Sequence, residues 1–398
     1  GIPAVSLVFT PKGVAFEAGY DVLVRALDRD ERLLKEQVES RRVTVSTHDS
    51  TLGFHPYLHE VWMPLEPGTY FIQTVLIDAA SGRQSIRTEY VRVPFVNEAY
   101  LATPALSIRN GDGARRPLLT SFVPENADSL RAEFQIRQPF GGIDSLAVRL
   151  LRVTRDTTQA SPPYWVGPGY GTLAYQGIAL AAVDTVLTQG LAVADQEEST
   201  LTLELPPLPR GLYRLEALTM GDSEIDPLRR GRYLVVTSAG FPRVETLDEM
   251  VDALGYIAYE RELGRIREGA TPAERLQRFD AFWGSLVRQR SVATNLIETY
   301  YARIEEANLL YSSYKEGWKT DRGMVYVLLG PPLLVDAYSE SEVWRYSYGD
   351  DALYTFVFDR VRIPEADGFY ENYILRRRPY YEHVWLQLVD RWRSGVVL

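Results

Sequence analysis

The sequence of 398 residues contains no cysteine, and this absence excludes three kinds of chemistry together. Disulfide bonds, thiolate metal sites and cysteine nucleophiles all require the missing thiol. The usual indicator of redox compartment is missing as well. A chain without cysteine is more typical of the bacterial envelope than of a cytosolic enzyme, so we expect an envelope protein.

Long apolar segments are also missing. The longest, at 177–183, is far shorter than the roughly 18 residues that a membrane-spanning helix needs. The chain begins with Gly1 and not with Met, so we expect a processed N-terminus from which a signal peptide has already been removed. Attachment to a membrane is therefore expected only through a lipid anchor or through a partner.

Positive charge is scarce, because 43 basic residues face 53 acidic ones and the net charge is −10. Nucleic-acid binding depends on clustered Lys and Arg, and the pairs and triplets at 229–230 and 376–378 are too short for it. Phosphate-binding and dinucleotide-binding glycine motifs are missing, and no serine lies in a G-x-S-x-G turn. The sequence predicts neither a nucleic-acid partner nor a cofactor.

Short β-branched segments fill two consecutive regions, residues 1–97 and 98–240, and predict two Ig-like β-sandwich domains. A P-L-x-x-G-x-Y pattern occurs once in each region, at 64–70 and at 207–213, directly before an apolar segment. Glycine permits a tight turn, and the tyrosine is expected to enter the next strand. The repeat therefore indicates two related domains.

After the second β region, the apolar positions change from a period of two to a period near 3.6, which predicts helices. Thr246 with Glu249, and Thr271 with Glu274, have the spacing of capping boxes, so we expect two helices to begin there. A third helix is predicted from about 293 to 312.

A small antiparallel sheet is predicted after these helices, with strands at 324–329, 343–348 and 353–359. A last helix is predicted from about 380 to 393. The region 241–398 is therefore expected to be an α+β domain in which helices pack on a small sheet.

The stretch GWKTDRGMVYVLLGPP at 317–332 can be explained by folding alone. We predict that Gly317 ends the third helix with a positive φ and that Trp318 anchors the following turn. Thr320 or Asp321 is expected to bind backbone N–H groups there.

The second half of the stretch has a structural explanation as well. Arg322 is expected to pair with a carboxylate, and Gly323 to lead the chain into the strand at 324–329. The Gly-Pro-Pro at 330–332 is expected to end that strand.

Residues 317–323 resemble the motif of the GWxTD-domain proteins of Gram-negative bacteria. Parts of 300–308, 342–344 and 356–359 resemble the same family, so the resemblance covers roughly 241–365. It implies an exported, envelope-associated protein with β-rich domains ahead of the GWxTD domain. It implies no established reaction, substrate or catalytic residue.

A functional interpretation of the motif remains open beside the structural one. Lys319, Asp321 and Arg322 would form an exposed charged cluster next to Trp318 and, with Glu342, bind an anionic ligand or a peptide. Acid–base catalysis would need two facing carboxylates. The candidates are Asp321, Asp336, Glu342 and Asp359.

Three of the four histidines, His48, His55 and His59, lie close together and beside Glu60. A metal site needs such ligands to converge on one point, but Pro56 interrupts the helix that would align them. We therefore predict solvent-facing histidines on a loop and no metal site.

The segment 156–176 is rich in Pro, Gly and aromatic residues and is predicted to be a long exposed loop. Tyr164 and Trp165, in its 161–171 part, have two alternative interpretations. They bind a partner or a glycan as exposed aromatics, or they pack onto their own β-sandwich.

Three functional hypotheses follow, and the first is preferred. The chain is an exported, non-enzymatic interaction subunit of the periplasm or outer membrane, possibly lipid-anchored, that docks to an outer-membrane protein complex. The second hypothesis is a hydrolase of peptidoglycan or exported glycans, with its site near Asp321 and Glu342. The third is a glycan- or peptide-binding module that uses the 161–171 loop.

Overall fold

The chain is built from β-sheets over its first 240 residues and from helices with one small sheet over the remainder. The computed structural model describes residues 1–51, 56–109, 111, 113–155, 157–167, 178–221, 226–287, 289–338, 340–348, 352–361 and 372–396. His55 lies outside these residues, as do residue 156 and the 168–176 part of the predicted loop. Among the described residues, no helix combines the length and apolar character that crossing a bilayer requires.

The N-terminal region contains a five-stranded antiparallel sheet and a two-stranded one. Its elements in chain order are β1 Ile2–Pro3, β2 Thr10–Lys12, β3 Ala15–Leu27, β4 Leu33–Val45, α1 His48–Thr51, β5 Pro56–Tyr57, β6 Gly68–Asp78 and β7 Gln84–Val93. Strand β3 is central, since β2, β4 and β6 all pair with it, and β7 pairs with β6. Ile2 and Leu7 pack on Ala18, Tyr20 and Val22 of β3, so the start of the chain covers one face of the sheet.

The middle region contains two five-stranded sheets. Its strands are β8 Tyr100–Leu101, β9 Ala105–Arg109, β10 Arg115–Pro117, β11 Phe122–Pro124, β12 Ser129–Arg137, β13 Ile143–Arg155, β14 Ile178–Ala192, β15 Glu198–Leu205, β16 Gly211–Gly221 and β17 Arg229–Thr237. One sheet has the order β10–β9–β12–β15, with β8 also on β12, and the other has the order β11–β17–β16–β13–β14. Buried residues of both sheets, such as Phe134 and Leu215, form one core.

The repeated P-L-x-x-G-x-Y pattern has the same structural role in both β regions. Each pattern leads into a strand, β6 or β16, and places its tyrosine inside that strand. The hydroxyl of Tyr70 donates to the carbonyl of Glu66 at 2.7 Å, and that of Tyr213 donates to the carbonyl of Pro209 at 2.7 Å. The tyrosine therefore fixes the turn four residues upstream of it in both copies.

The C-terminal region joins six helices and a four-stranded antiparallel sheet in one core. Its elements are α2 Leu247–Ala253, α3 Glu260–Arg267, α4 Pro272–Leu286, α5 Arg290–Tyr311, α6 Asp321–Leu329, β18 Leu334–Ala337, β19 Ser341–Tyr348, β20 Ala352–Val361, β21 Asn372–Leu375 and α7 Tyr381–Arg393. The strands follow each other in the sheet in chain order. This confirms the expected helices on a small antiparallel sheet.

The predicted helix starts are confirmed by their caps. The hydroxyl oxygen of Thr246 accepts from the N–H of Glu249 at 3.2 Å, and the Glu249 carboxylate accepts from the N–H of Thr246 at 3.2 Å. At α4, Thr271 accepts from the N–H of Glu274 at 3.1 Å, and Pro272 is the first helical residue. The Glu274 carboxylate accepts from the N–H of Ala270 at 2.9 Å and not from that of Thr271, so only half of this predicted capping box is formed. Both carboxylates lie at the positive end of a helix dipole, which adds to their capping effect.

The predicted strand at 324–329 is wrong, because this segment belongs to helix α6. All six of its residues are buried, and α6 lies against α5, α7 and β21. A short apolar segment that is buried on every side has no polar face, so its period does not distinguish a helix from a strand. Gly330, with φ +75°, ends a helix here and not a strand.

Candidate functional site

The motif at 317–323 connects the long helix α5 to helix α6. Gly317–Lys319 form one 3₁₀ turn, and Thr320 is the N-cap of α6, where its hydroxyl oxygen accepts from the N–H of Gly323 at 3.1 Å. The prediction that Gly317 ends the third helix with a positive φ is wrong. Helix α5 already ends at Tyr311, and Gly317 is not among the glycines with positive φ.

Close backbone packing, and not turn geometry, requires the two glycines of the motif. A Cβ atom on Gly317 would collide with the backbone carbonyl of Ala307 in α5. A Cβ atom on Gly323 would collide with the backbone carbonyl of Gly317. The motif thus folds back tightly on α5 and on itself, and only glycine leaves room for both approaches.

Trp318 is buried, and hydrogen bonds to its backbone hold it on both sides. Its N–H donates to Oδ1 of Asn308 at 3.4 Å, and its carbonyl accepts from the hydroxyl of Tyr256 at 2.7 Å. Burial raises the pKa of Tyr256 well above its ordinary value, so this hydroxyl keeps its proton and donates. Asn308 in turn donates to the carbonyl of Pro242 at 3.0 Å, which ties the motif to the segment that enters the domain.

Asp321 is held in a buried ion pair. Its two oxygens accept from Nη1 and Nη2 of Arg377 at 2.9 and 2.5 Å, and Oδ2 also accepts from the N–H of Leu375 at 2.7 Å. Arg377 further donates to the carbonyl of Ser161 at 3.0 Å. Asp321 therefore connects α6 to the end of β21 and, through Arg377, to a loop of the middle region.

Arg322 pairs with a carboxylate, as predicted. Its Nη1 lies 3.3 Å from both oxygens of Glu342, whose Oε2 also accepts from the indole N–H of Trp344 at 3.1 Å. The guanidinium lies over the ring of Tyr373, 4.1 Å from its centre. A ring and a carboxylate on the sheet thus fix the Arg322 side chain.

The expected exposed cluster of three charges is not formed. The side chains of Lys319, Asp321 and Arg322 are only 16%, 10% and 12% exposed. Lys319 lies over the Trp318 ring and pairs with Glu316 at 2.9 Å. The three charges therefore take three different partners and do not converge on one ligand position.

Each of the four candidate catalytic carboxylates is paired with a different arginine. The pairs are Asp321–Arg377, Glu342–Arg322, Asp336–Arg345 and Asp359–Arg376. A general acid and base that act on one substrate need free oxygens on facing carboxylates. Arginine contacts both oxygens of Asp321, Glu342 and Asp359 and one oxygen of Asp336.

Tyr164 lies at the C-terminal region and not on the sheets from which its loop extends. It packs against the core formed by α2 to α7 and the small sheet. The prediction that it packs onto its own β-sandwich is therefore wrong, because the loop reaches another region. Trp165 is 44% exposed, and its binding of a partner or a glycan stays a prediction.

A cavity of about 70 Å³ lies beside the motif, between the middle region and the helices. Trp318, Lys319, Arg210 and Phe241 are among the residues that line it. Pockets that enclose small-molecule ligands measure roughly 300–1,000 Å³. The cavity beside the motif is therefore too small to enclose a glycan or peptide substrate.

Two of the three clustered histidines make local contacts. His48 is exposed and lies edge-on to the Phe16 ring, with the ring centres 5.9 Å apart. The side chain of His59 is only 4% exposed and hydrogen-bonds to Glu39 at 3.1 Å, so the prediction that this histidine faces solvent is wrong. His55 lies outside the described residues. Over the residues that the structure describes, no three His, Cys, Asp or Glu side chains are grouped so that they could hold a metal ion.

Tyr256, Asn308 and Arg377 complete the motif and were not predicted as parts of it. Arg377 lies in the basic triplet 376–378, which appears in the sequence only as a short charged run. No spacing rule links these residues to 317–323, because their contacts with it depend on the tertiary fold.

Comparison with known proteins identifies one region of the chain. The family model described as the GWxTD domain matches residues 220–394, which confirms the resemblance seen in the motif. No curated protein matches the chain.

Similarity to solved structures is low. An alpha-2-macroglobulin of Salmonella has 14% identity, with 60% of this chain and 17% of that chain covered and a TM-score of 0.21. The Escherichia coli alpha-2-macroglobulin has 13% identity, with 58% of this chain and 16% of that chain covered and a TM-score of 0.21. Red sea bream transglutaminase has 10% identity, with 57% of this chain and 28% of that chain covered and a TM-score of 0.18. The chain thus spans less than a third of each of these proteins, and such TM-scores do not establish a shared fold.

Proposed function

We propose that this chain, a member of the GWxTD-domain family, is an exported envelope protein that acts as a non-enzymatic interaction subunit. It docks to a protein complex in or near the outer membrane, and a lipid anchor or that partner holds it at the membrane. The support for export is the family resemblance together with a composition that lacks cysteine.

The observation that carries the non-enzymatic role is the internal use of the motif. Asp321, Arg322 and Lys319 each pair with a side chain of the same chain, and Trp318 is buried. A catalytic site leaves its reactive groups accessible to a substrate. The motif instead holds α5, α6 and the sheet together, as expected for a domain that presents a surface.

The β regions are proposed to be Ig-like sandwiches that act as spacers. In such domains, a tyrosine near the start of a late strand hydrogen-bonds to the backbone a few residues upstream. Tyr70 and Tyr213 both make this contact. The shared contact supports two related modules ahead of the GWxTD domain.

A native pull-down from solubilised membranes, followed by mass spectrometry, tests this proposal. We expect an outer-membrane protein to be recovered in a fixed ratio to the chain. A Gly323→Ala chain, whose domain is expected to be destabilised, serves as the control and should lose the partner. Recovery of the unaltered chain as a soluble monomer without any partner would contradict the proposal.

A binding function for Trp165 is the second candidate, because its ring is half exposed while Tyr164 anchors the same loop. Exposed aromatic rings on a fixed backbone are suited to stacking on sugars or peptides. Titration of the chain with peptidoglycan fragments, followed by tryptophan emission, tests this role. Trp165→Ala should abolish the change, whereas Tyr90→Ala, at an exposed position on β7, should retain it.

A further inference from the structure

A short segment of the middle region is bound along the surface of the GWxTD domain. We call residues 157–164 the strap. They lie between β13 and β14 in the chain, yet Ala160 is buried in the core of the C-terminal region and Tyr164 packs against that core. The strap is therefore part of the GWxTD domain in space, although it lies more than 50 residues ahead of the matched range 220–394.

Side chains of the GWxTD domain bind the strap through its backbone carbonyls. Nζ of Lys315 donates to the carbonyl of Thr158 at 2.9 Å. Nη2 of Arg377 donates to the carbonyl of Ser161 at 3.0 Å. Hydrogen bonds from charged donors are stronger than neutral ones, and here they do not depend on the side chains of the strap.

One further backbone contact continues this pattern. The N–H of Arg378 donates to the carbonyl of Pro163 at 3.1 Å. Between these contacts, Ala160 lies in the same buried core as Tyr256. Three residues of the strap, Thr158, Ser161 and Pro163, thus have their carbonyl bound, which is the way in which proteins bind extended peptides.

Two side chains at the centre of the strap add selectivity to that of Tyr164 at its end. Ala160 is only 6% exposed within a packed core, so its position has room for a small side chain. The amide of Gln159 donates to the carbonyl of Gly255 at 3.2 Å and packs directly on that glycine, where a Cβ atom would collide with it. The site therefore selects a small residue at the position of Ala160, preceded by a residue whose side chain can lie on Gly255.

The GWxTD motif positions a group that binds the strap. Asp321 binds Arg377 through two hydrogen bonds and so directs a further donor of that side chain toward the carbonyl of Ser161. Asp321 is therefore a positioning residue for a peptide-binding site. The carbonyl of Trp318 accepts from the hydroxyl of Tyr256, which lies in the same core as Ala160.

We infer that the GWxTD domain contains a binding site for an extended peptide, and that the strap fills this site from within the same chain. The ligand class is an extended segment with a small residue preceded by a side chain that can lie on Gly255, as in Gln159-Ala160 of the strap. This inference goes beyond the proposed docking function and does not depend on it, because it concerns a contact made inside the chain.

A labelled peptide with the sequence of residues 157–166 tests the inference in the full-length chain. Ala160→Glu places a charge in the core and is expected to release the strap, which leaves the site open. Fluorescence anisotropy should show saturable binding of the peptide to this variant. Binding to the unaltered chain should be at least about tenfold weaker, because an occupied site lowers the apparent affinity in proportion to the fraction that is open.

The control is the same peptide with Glu at the position of Ala160, which should bind neither chain. Folding of the variant is checked by circular dichroism. If the variant is unfolded, restoration of its native spectrum by the unaltered peptide, and not by the control peptide, supports the site. A folded variant that does not bind the peptide, or an unfolded one that the peptide does not restore, would overturn the inference.

Discussion

The buried ion pair between Asp321 and Arg377 gives the sharpest prediction. The side chains are 10% and 3% exposed, and Asp321 accepts three hydrogen bonds. Asp321→Asn keeps the shape but leaves the guanidinium charge buried without a counter-charge, which costs about 3–5 kcal/mol. Because Asp321 is the first residue of α6, the lost negative charge adds about 0.3–1 kcal/mol from the helix dipole.

Urea unfolding, monitored by tryptophan emission, measures this cost in the C-terminal region. Five of the seven tryptophans lie after residue 241, and all five are buried. Slopes are about 1–3 kcal/mol per M and increase with the size of the unfolding unit, so at a slope of about 3 kcal/mol per M this loss lowers the midpoint by on the order of 1–2 M urea. Asp336→Asn is the matched control, because its pair with Arg345 is about one-third exposed and is expected to contribute at most about 1 kcal/mol.

A double variant separates loss of the ion pair from general damage to the fold. Asp321→Asn combined with Arg377→Met removes both charges, and replacement of a buried pair by apolar groups is often nearly neutral. We expect the double variant to recover most of the stability that Asp321→Asn loses. If Asp321→Asn shifts the midpoint no more than Asp336→Asn does, the reasoning about a buried, uncompensated Arg377 is refuted.

Two further predictions concern close packing and a buried carboxyl. Gly317→Ala and Gly323→Ala each force a Cβ atom onto a backbone carbonyl and should lower the free energy of unfolding by about 1–3 kcal/mol or more. Gly264→Ala is the control, because this glycine of α3 faces open space, and it should raise the free energy of unfolding by about 0.5–1 kcal/mol. Equal effects of the three substitutions in thermal unfolding would contradict the packing argument. Burial raises the pKa of Glu305 above its ordinary value, although the N–H of Val244 donates to the carboxylate and partly offsets this rise. The charged form is therefore disfavoured in the folded state, and stability is lost as pH rises through the folded-state pKa. Glu305→Gln should therefore raise the thermal midpoint at pH 7 and leave it unchanged below about pH 4, and a lower midpoint at pH 7 would show that the charge is stabilising.

Local signals in the sequence were sufficient for the caps and for most helices. Thr246 and Thr271 each precede a carboxylate by three residues, and a cap depends only on such near neighbours. The error at 324–329 has the same local origin. The Thr-Asp pair at 320–321 has the composition of a helix start, but the β-branched and aromatic residues that follow favour a strand, and only burial on every side permits the helix.

The contacts of the motif could not be predicted from residues that are near it in the sequence. Asp321 and Arg377 are separated by 56 residues, and nothing in their spacing indicates a contact. The triplet 376–378 shows why a charge run alone is uninformative. Arg376 pairs with Asp359, and Arg377 pairs with Asp321. The backbone N–H of Arg378 donates to the carbonyl of Pro163. Three adjacent residues thus make three separate contacts where the chain leaves β21.

The motif can now be explained residue by residue through its buried neighbours. Gly317 permits the approach to α5, Trp318 holds Tyr256, Thr320 caps α6, and Asp321 fixes Arg377. The third position differs, because Lys319 pairs with Glu316, which is only three residues away, and lies over the Trp318 ring of the motif itself. The family name leaves that same position open. Since Asp321 orients Arg377, which binds the strap at Ser161, loss of Asp321 should weaken strap binding as well as stability, and the two effects should appear together in the same variant.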